Sequence, residues 1–152
     1  MPQALIRRRL APPCPEEVLF VDLVRTADLL SRAPARLLRE ENLSPEQYNV
    51  LRILRGSPEG LLCGDIAGRM LTRDPDITRL LDRLEKRGLI GRFRPDCDRR
   101  RVQARILPEG VALLARLDEP VCRTHREQLG HLGPTRLQQL VQLLRECRTV
   151  SE

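Results

Sequence analysis

Between Arg94 and Ile106 the chain reads RPDCDRRRVQARI. Arg99, Arg100 and Arg101 follow one another directly, behind a turn in which Asp96 and Asp98 flank Cys97. Upstream, Arg79, Arg83 and Arg87 recur every four residues, the spacing of one helical face. Guanidinium groups grip phosphate or carboxylate through paired N–H donors, and they stay charged at any physiological pH. Of the 27 cationic residues only Lys86 is a lysine. A coding preference for arginine accounts for that total but not for its placement. From Arg69 to Arg105 there are twelve cationic and six acidic residues, a net of +6, while the rest of the chain holds fifteen of each. All of the formal excess therefore lies in one 37-residue stretch, as a polyanion-binding surface requires. The two aspartates invite an acid-pair or metal reading, but they read better as turn formers that aim the arginines.

Other chemistry is poorly represented. There is no nucleophile–base constellation and no phosphate loop, since GSPEGLLCGD lacks that pattern, so neither an enzyme nor a cofactor is expected. The cysteines are Cys14, Cys63, Cys97, Cys122 and Cys147, odd in number and without a Cys-x-x-Cys pair. That usage fits reduced thiols in the cytoplasm. Cys122 and His125 stand three apart with Glu119 close by and His131 further on, but without a second Cys/His pair no metal site is expected. Cys97 is the better redox candidate, because neighbouring arginines favour a thiolate, although Asp96 and Asp98 oppose them.

The elements that position these groups follow from composition and period. The chain has 152 residues, 41% hydrophobic, 32% charged and 2% aromatic, with Phe20, Tyr48 and Phe93 the only aromatics. Leu, Ile, Val and Ala must fill the core, which suits packed helices. No apolar run approaches the roughly 20 residues of a membrane span, and the N-terminus has no apolar signal core. A first helix is expected from about Glu16 to Glu40, apolar nearly all round in its first half, with Pro34 kinking or breaking it. A helix that is apolar on every side must be covered, and a small chain would cover it with a partner subunit.

LSPEQYNVLRIL opens the next helix, with Ser44 as cap, Pro45 at the first position and Gln47 completing a capping box. GSPEG reads as a loop and CGDIAGRML as a short helix. After the tight turn TRDP, a helix starts at Asp74-Pro75, with Asp74 as cap, buries Ile77, Leu80, Leu81 and Leu84, and stops at Gly88. LIGRFR and RVQARIL form a hairpin around the arginine-rich turn. A long helix with a kink at Pro120 begins beyond Pro108, and a last helix carries Leu137, Leu140, Val141 and Leu144 as its seam.

A short helix, a tight turn, a basic helix and a basic hairpin make a winged helix-turn-helix. The fold class is mainly α with a small β-hairpin wing, joined to N- and C-terminal helices. Double-stranded DNA is the expected partner. Residues near the N-terminus of the basic helix reach deepest into a major groove: Arg73, Asp76, Thr78 and Arg79. Arg83 lies one turn on, over backbone phosphate, and Thr72 and Thr78 can donate to phosphate. Arg94 belongs to the same surface at the root of the wing. An adaptor that binds protein rather than DNA is the rival class; it would lack the steep salt dependence of DNA binding.

From about Leu43 to Leu117 the chain resembles the MarR family of bacterial transcription regulators. The resemblance is carried by LSPEQYNVLRIL, DIAGRML, DITRLLDRLEKRGLIGRFRPDCDRR and EGVALL. It implies a single domain over residues 1–152, in which 43–108 bind DNA and 1–42 and 109–152 interlock as dimerisation helices. It implies a homodimer straddling a palindromic operator, with Asp98 holding the wing loop and Arg100 entering the minor groove while Arg99 and Arg101 follow phosphates. It also implies a repressor released by a small aromatic-acid effector, for which Phe20 and Tyr48 are the candidate pocket residues. Pro108 stands where family members often carry a capping hydroxyl. The family's peroxide-sensing cysteine aligns near Phe20, so Cys14 does not inherit that role.

Overall fold

The structure, a computed structural model, describes residues 12, 14–72, 76–94 and 102–149. Its elements are α1 (Pro15–Glu40), α2 (Pro45–Arg55), β1 (Leu61–Leu62), α3 (Cys63–Arg69), α4 (Ile77–Lys86), β2 (Ile90–Phe93), β3 (Gln103–Ile106), α5 (Pro108–Leu129) and α6 (Gly133–Thr149), with a 3-10 turn at Gly130–Leu132. The chain divides into two compact units, residues 1–32 and 33–152.

The first unit contains the apolar half of α1. Glu16 and Glu17 sit in its first turn, where carboxylates favour the positive end of the helix dipole. Val18, Leu19, Phe20, Val21 and Val24 are all exposed, Phe20 at 66%. The expected break at Pro34 does not occur: α1 runs 26 residues through it. Proline removes one rung of the ladder, and the turns on either side keep theirs.

In the second unit, the turn that ends α1 holds Asn42, whose φ of 54° is left-handed. Leu43 N–H donates to Leu38 O (2.9 Å) and Asn42 N–H to Arg39 O (3.0 Å), the paired bonds of a Schellman cap. The cap turns the chain into α2, whose capping box forms as expected. Gln47 N–H donates to Ser44 Oγ (3.2 Å) and Ser44 N–H to Gln47 Oε1 (3.0 Å). Ser44→Ala should therefore cost about 1 kcal/mol of stability, read as a lower urea midpoint with an unchanged slope. An unchanged midpoint would mean that the box adds nothing to folding.

The core joins α2, α3, α4, the sheet and α5 through Val50, Leu51, Leu54, Ile66, Leu81, Ile90, Ala104 and Leu114, each buried. The sheet has the order β1-β3-β2, all antiparallel, with Ile90 opposite Ile106 and Phe93 opposite Gln103. Strand β1 has no signature in the sequence, because two residues are too few to show a period. Gly60 makes it possible: its φ is 87°, and a Cβ there would lie 2.8 Å from Phe93 Cζ.

Helix α5 starts at Pro108 without a side-chain cap, and Leu107 N–H donates instead to Leu89 O (3.0 Å). Pro120 lies inside α5 without ending it. Arg55 of α2 and Asp118 of α5 form a bidentate pair at 2.8 and 2.9 Å. Arg55's hydrogen bonds hold the Asp118 carboxyl below the ordinary carboxylate range. A depressed folded-state pKa stabilises above the unfolded value, about 4, and that contribution is lost as pH falls through the folded value. The pair is partly exposed, so Asp118→Asn should cost under about 1 kcal/mol at pH 7. The gap between urea melts of parent and variant should narrow as pH falls below about 4; a gap that does not change with pH would assign the effect to packing.

Of the expected α6 seam, Leu137 and Leu144 are half-buried and Leu140 and Val141 exposed. None of the α6 side chains is buried, and Leu140, Val141 and Leu143 are 40%, 45% and 58% exposed.

Candidate nucleic-acid interface

Helix α3, the turn after it and α4 are built against α2. Leu71 N–H donates to Asn49 Oδ1 (2.8 Å), and Arg69 Nη1 to Ser57 Oγ (3.0 Å). These contacts pin the turn before α4. On α4, Leu80, Leu81 and Leu84 are buried, and Ile77 packs against the same core. The expected cap at Asp74 is corrected: the helix begins at Ile77, and Asp76 caps it by accepting the Arg79 N–H (3.1 Å). A carboxylate three residues before its partner amide is the geometry capping needs. Asp74, Pro75 and Arg73 lie outside the described residues. At the other end, Gly88 (φ 68°) terminates α4 as expected, with Leu89 N–H on Leu84 O (3.1 Å).

The buried stripe leaves Arg79, Arg83 and Lys86 exposed on the opposite face, with the exposed Thr78 beside them. The Arg79 side chain is 72% exposed. Its 3.8 Å approach to Asp76 is a solvent-screened pair, too weak to withhold it from a phosphate or a base edge. Asp76, Arg79, Leu80 and Arg83 line a shallow depression on this face. Thr72 is exposed in the turn and Arg94 at the end of β2. Phe93 at the end of β2 pairs with Gln103 at the start of β3. Cys97, Asp98, Arg99, Arg100 and Arg101 lie outside the described residues.

Several cations of the basic stretch have structural work that sequence did not reveal. Arg87, at the end of α4, donates to Asn42 O (2.6 Å) and Glu41 O (3.0 Å), and so braces α4 against the cap of α1. Arg105 lies 4.3 Å over the Phe93 ring and donates to Glu59 O (3.2 Å). Arg92 pairs with two carboxylates of α4. Main-chain carbonyl partners leave no trace in a pattern of residue types. Charge counting alone therefore overstates what the surface offers to a polyanion.

Tyr48 packs against the core with Arg52 5.9 Å above its ring, which gives it a structural use. Among the described residues no group of His, Cys, Asp and Glu could hold a metal ion; Cys122 and His125 are exposed on α5. No helix among the described residues is long and apolar enough to cross a membrane.

A helix-turn-helix beside an antiparallel hairpin, with one arginine face outward, is the architecture of a winged-helix DNA reader. Comparison with known proteins agrees. The MarR family model matches residues 43–102, which include α2 through β2 and end one residue before β3. The homoprotocatechuate degradative operon repressor of Escherichia coli is 31% identical over 110 residues, 72% of this chain and 74% of that protein. A MarR transcription factor from Planctomyces limnophilus is 39% identical, with a TM-score of 0.66 over 90% of this chain and 98% of that one. The BpsR regulator of Bordetella bronchiseptica, whose DNA binding is regulated by 6-hydroxynicotinic acid, shares the fold at a TM-score of 0.80 and 22% identity, over 91% of this chain and 98% of that one. The chain belongs to the MarR family, whose members are DNA-binding transcription regulators and not enzymes.

Proposed function

We propose that this regulator is a homodimeric repressor that works in the cytoplasm, occupies a palindromic operator and leaves it when a small aromatic acid binds. The observation that carries the reading is the outward face of α4, where Arg79 and Arg83 are exposed on a helix whose other side is locked in the core. Arg73, Asp76, Thr78 and Arg79 read base edges from the helix start, although the Asp76 carboxylate is shared with the cap. Arg83, Thr72 and Arg94 meet phosphates. Arg100 enters the minor groove, Arg99 and Arg101 flank it, and Asp98 shapes the loop. The exposed apolar residues of α1 and α6 support segments 1–42 and 109–152 as the dimer surface. The effector class is supported by the likeness to the Bordetella regulator and to the degradative-operon repressor.

Selection from a random duplex library tests this. The protein should enrich an inverted repeat whose half-sites lie about 10 base pairs apart, centre to centre. Enrichment of no sequence would reject DNA reading, and enrichment of one unrepeated half-site would reject the dimer.

A further inference from the structure

Helix α4 has a third side, between its core stripe and its outward arginines. Thr78, Asp82 and Glu85 share it, spaced four and three apart. Arg92, the third residue of β2, reaches onto it. Its Nη1 lies 2.6 Å from Asp82 Oδ1 and 3.4 Å from Glu85 Oε2, and its Nη2 donates to Thr78 O at 3.3 Å. The Arg92 side chain is 24% exposed, the Asp82 and Glu85 side chains 43% and 39%. Two carboxylates thus balance this guanidinium, and it adds little to the field that a phosphate backbone feels. Its contacts fall at both ends of α4: Glu85 in the last turn, and the Thr78 carbonyl in the first turn, beside Arg79. The chain itself joins α4 to β2 only through the Gly88 turn. A planar fork can serve a carbonyl and two carboxylates at once; an ammonium point charge cannot hold the same geometry.

We propose that Arg92 is a positioning residue for DNA recognition: it fixes the angle between the recognition helix α4 and the wing strand β2, so that both can engage one duplex together. The proposal rests on the DNA-binding reading above. A positioning role and a phosphate contact leave different signatures. Losing a phosphate contact weakens all duplexes alike and lowers the salt slope by about one. Losing the joint lowers preference and leaves the slope for random DNA in place.

The experiment measures affinity for the selected duplex and for a random duplex of equal length, across a salt series. Wild type is compared with Arg92→Gln, Asp82→Asn and the double variant, at a temperature where circular dichroism shows each folded. Arg92→Gln should lose about tenfold of the selected-over-random preference, and Asp82→Asn should lose preference in the same direction. The double variant should be no worse than Arg92→Gln alone, because both changes break one contact. Should Arg92→Gln fail to fold, Asp82→Asn reports on the same joint from the helix side. Uniform weakening with a lower slope would make Arg92 a phosphate contact and overturn the proposal, as would an unchanged preference. Tighter random binding by Asp82→Asn without loss of preference would mean that Asp82 only repels phosphate, and would overturn it too. If wild type itself shows no preference, the DNA-binding reading falls first and takes this proposal with it.

Discussion

Gly110→Ala should destabilise the helix–sheet unit by about 3 kcal/mol, and it is the largest effect on folding expected from a single methyl group in this chain. A Cβ at Gly110 would stand 2.4 Å from Leu89 O and 2.8 Å from Ile106 Cγ1. Neither neighbour can withdraw cheaply. Leu89 O accepts the Leu107 N–H at the start of α5, and Leu89 itself closes the cap of α4. Ile106 sits on β3 opposite Ile90, which is 1% exposed. The helix must therefore lift off the sheet, and the lost contacts are those that join α5 to the DNA-reading elements. Gly64→Ala in α3 is the matched control, since nothing lies within 4 Å of a Cβ there. It should be neutral or stabilising by up to about 1 kcal/mol, as expected for glycine in a helix. Urea unfolding of the two variants decides the matter, and equal midpoints would show that the α5–sheet contact is not tight.

Arg79→Ala combined with Arg100→Ala should produce the largest loss of function. Each guanidinium is expected to contribute roughly 1–3 kcal/mol to specific binding. Arg79 lies on α4 and Arg100 is proposed for the wing, well apart in sequence, so their effects should add to roughly 2–6 kcal/mol. Fluorescence anisotropy on the selected duplex measures this directly. The far-ultraviolet spectrum should not change, because the Arg79 side chain is solvent-exposed and its pair with Asp76 is weak. Arg101→Ala should behave differently, mainly lowering the salt slope by about one. A double variant that binds the selected duplex as tightly as wild type would place the DNA surface elsewhere.

The helix-turn-helix was legible because its signals are local and chemical. Ser44 and Gln47 specify a cap, Gly88 specifies a stop, and Leu80, Leu81 and Leu84 repeat at the helical period. The elements that were misplaced have no such signal. Asp74 and Asp76 are equally good caps by type, and the choice of Asp76 depends on which amide the turn presents, here that of Arg79. Strand β1 is two residues long and exists only because β3 offers it an edge. Pro34 has the chemistry of a kink or a break, yet α1 continues through it. In the candidate site, Arg79 and Arg83 stand exposed as their spacing implied. Arg87 and Arg92, equally basic in sequence, are committed to Asn42 O, Glu41 O and the α4 carboxylates. Their partners are main-chain carbonyls or lie on another element, and pairing of that kind is set by tertiary structure.

The exposed faces also separate what one chain can satisfy from what it cannot. Phe20, Leu19 and Val24 on α1, and Leu140, Val141 and Leu143 on α6, are apolar and uncovered. Apolar surface of that kind on a small protein marks an interface. Leu140 and Val141 belong to the seam expected from sequence and Leu143 does not, and a second copy of the chain is the cover proposed for all of them.

The most direct test of the account is an equilibrium titration of the protein against the selected inverted-repeat duplex and a scrambled duplex across a salt series. The account predicts nanomolar binding to the repeat, at least about a thousandfold preference over the scrambled sequence, and a steep fall in affinity with salt, log K dropping by roughly five or more per decade. Equal affinity for the two duplexes, or affinity that does not change with salt, would contradict it.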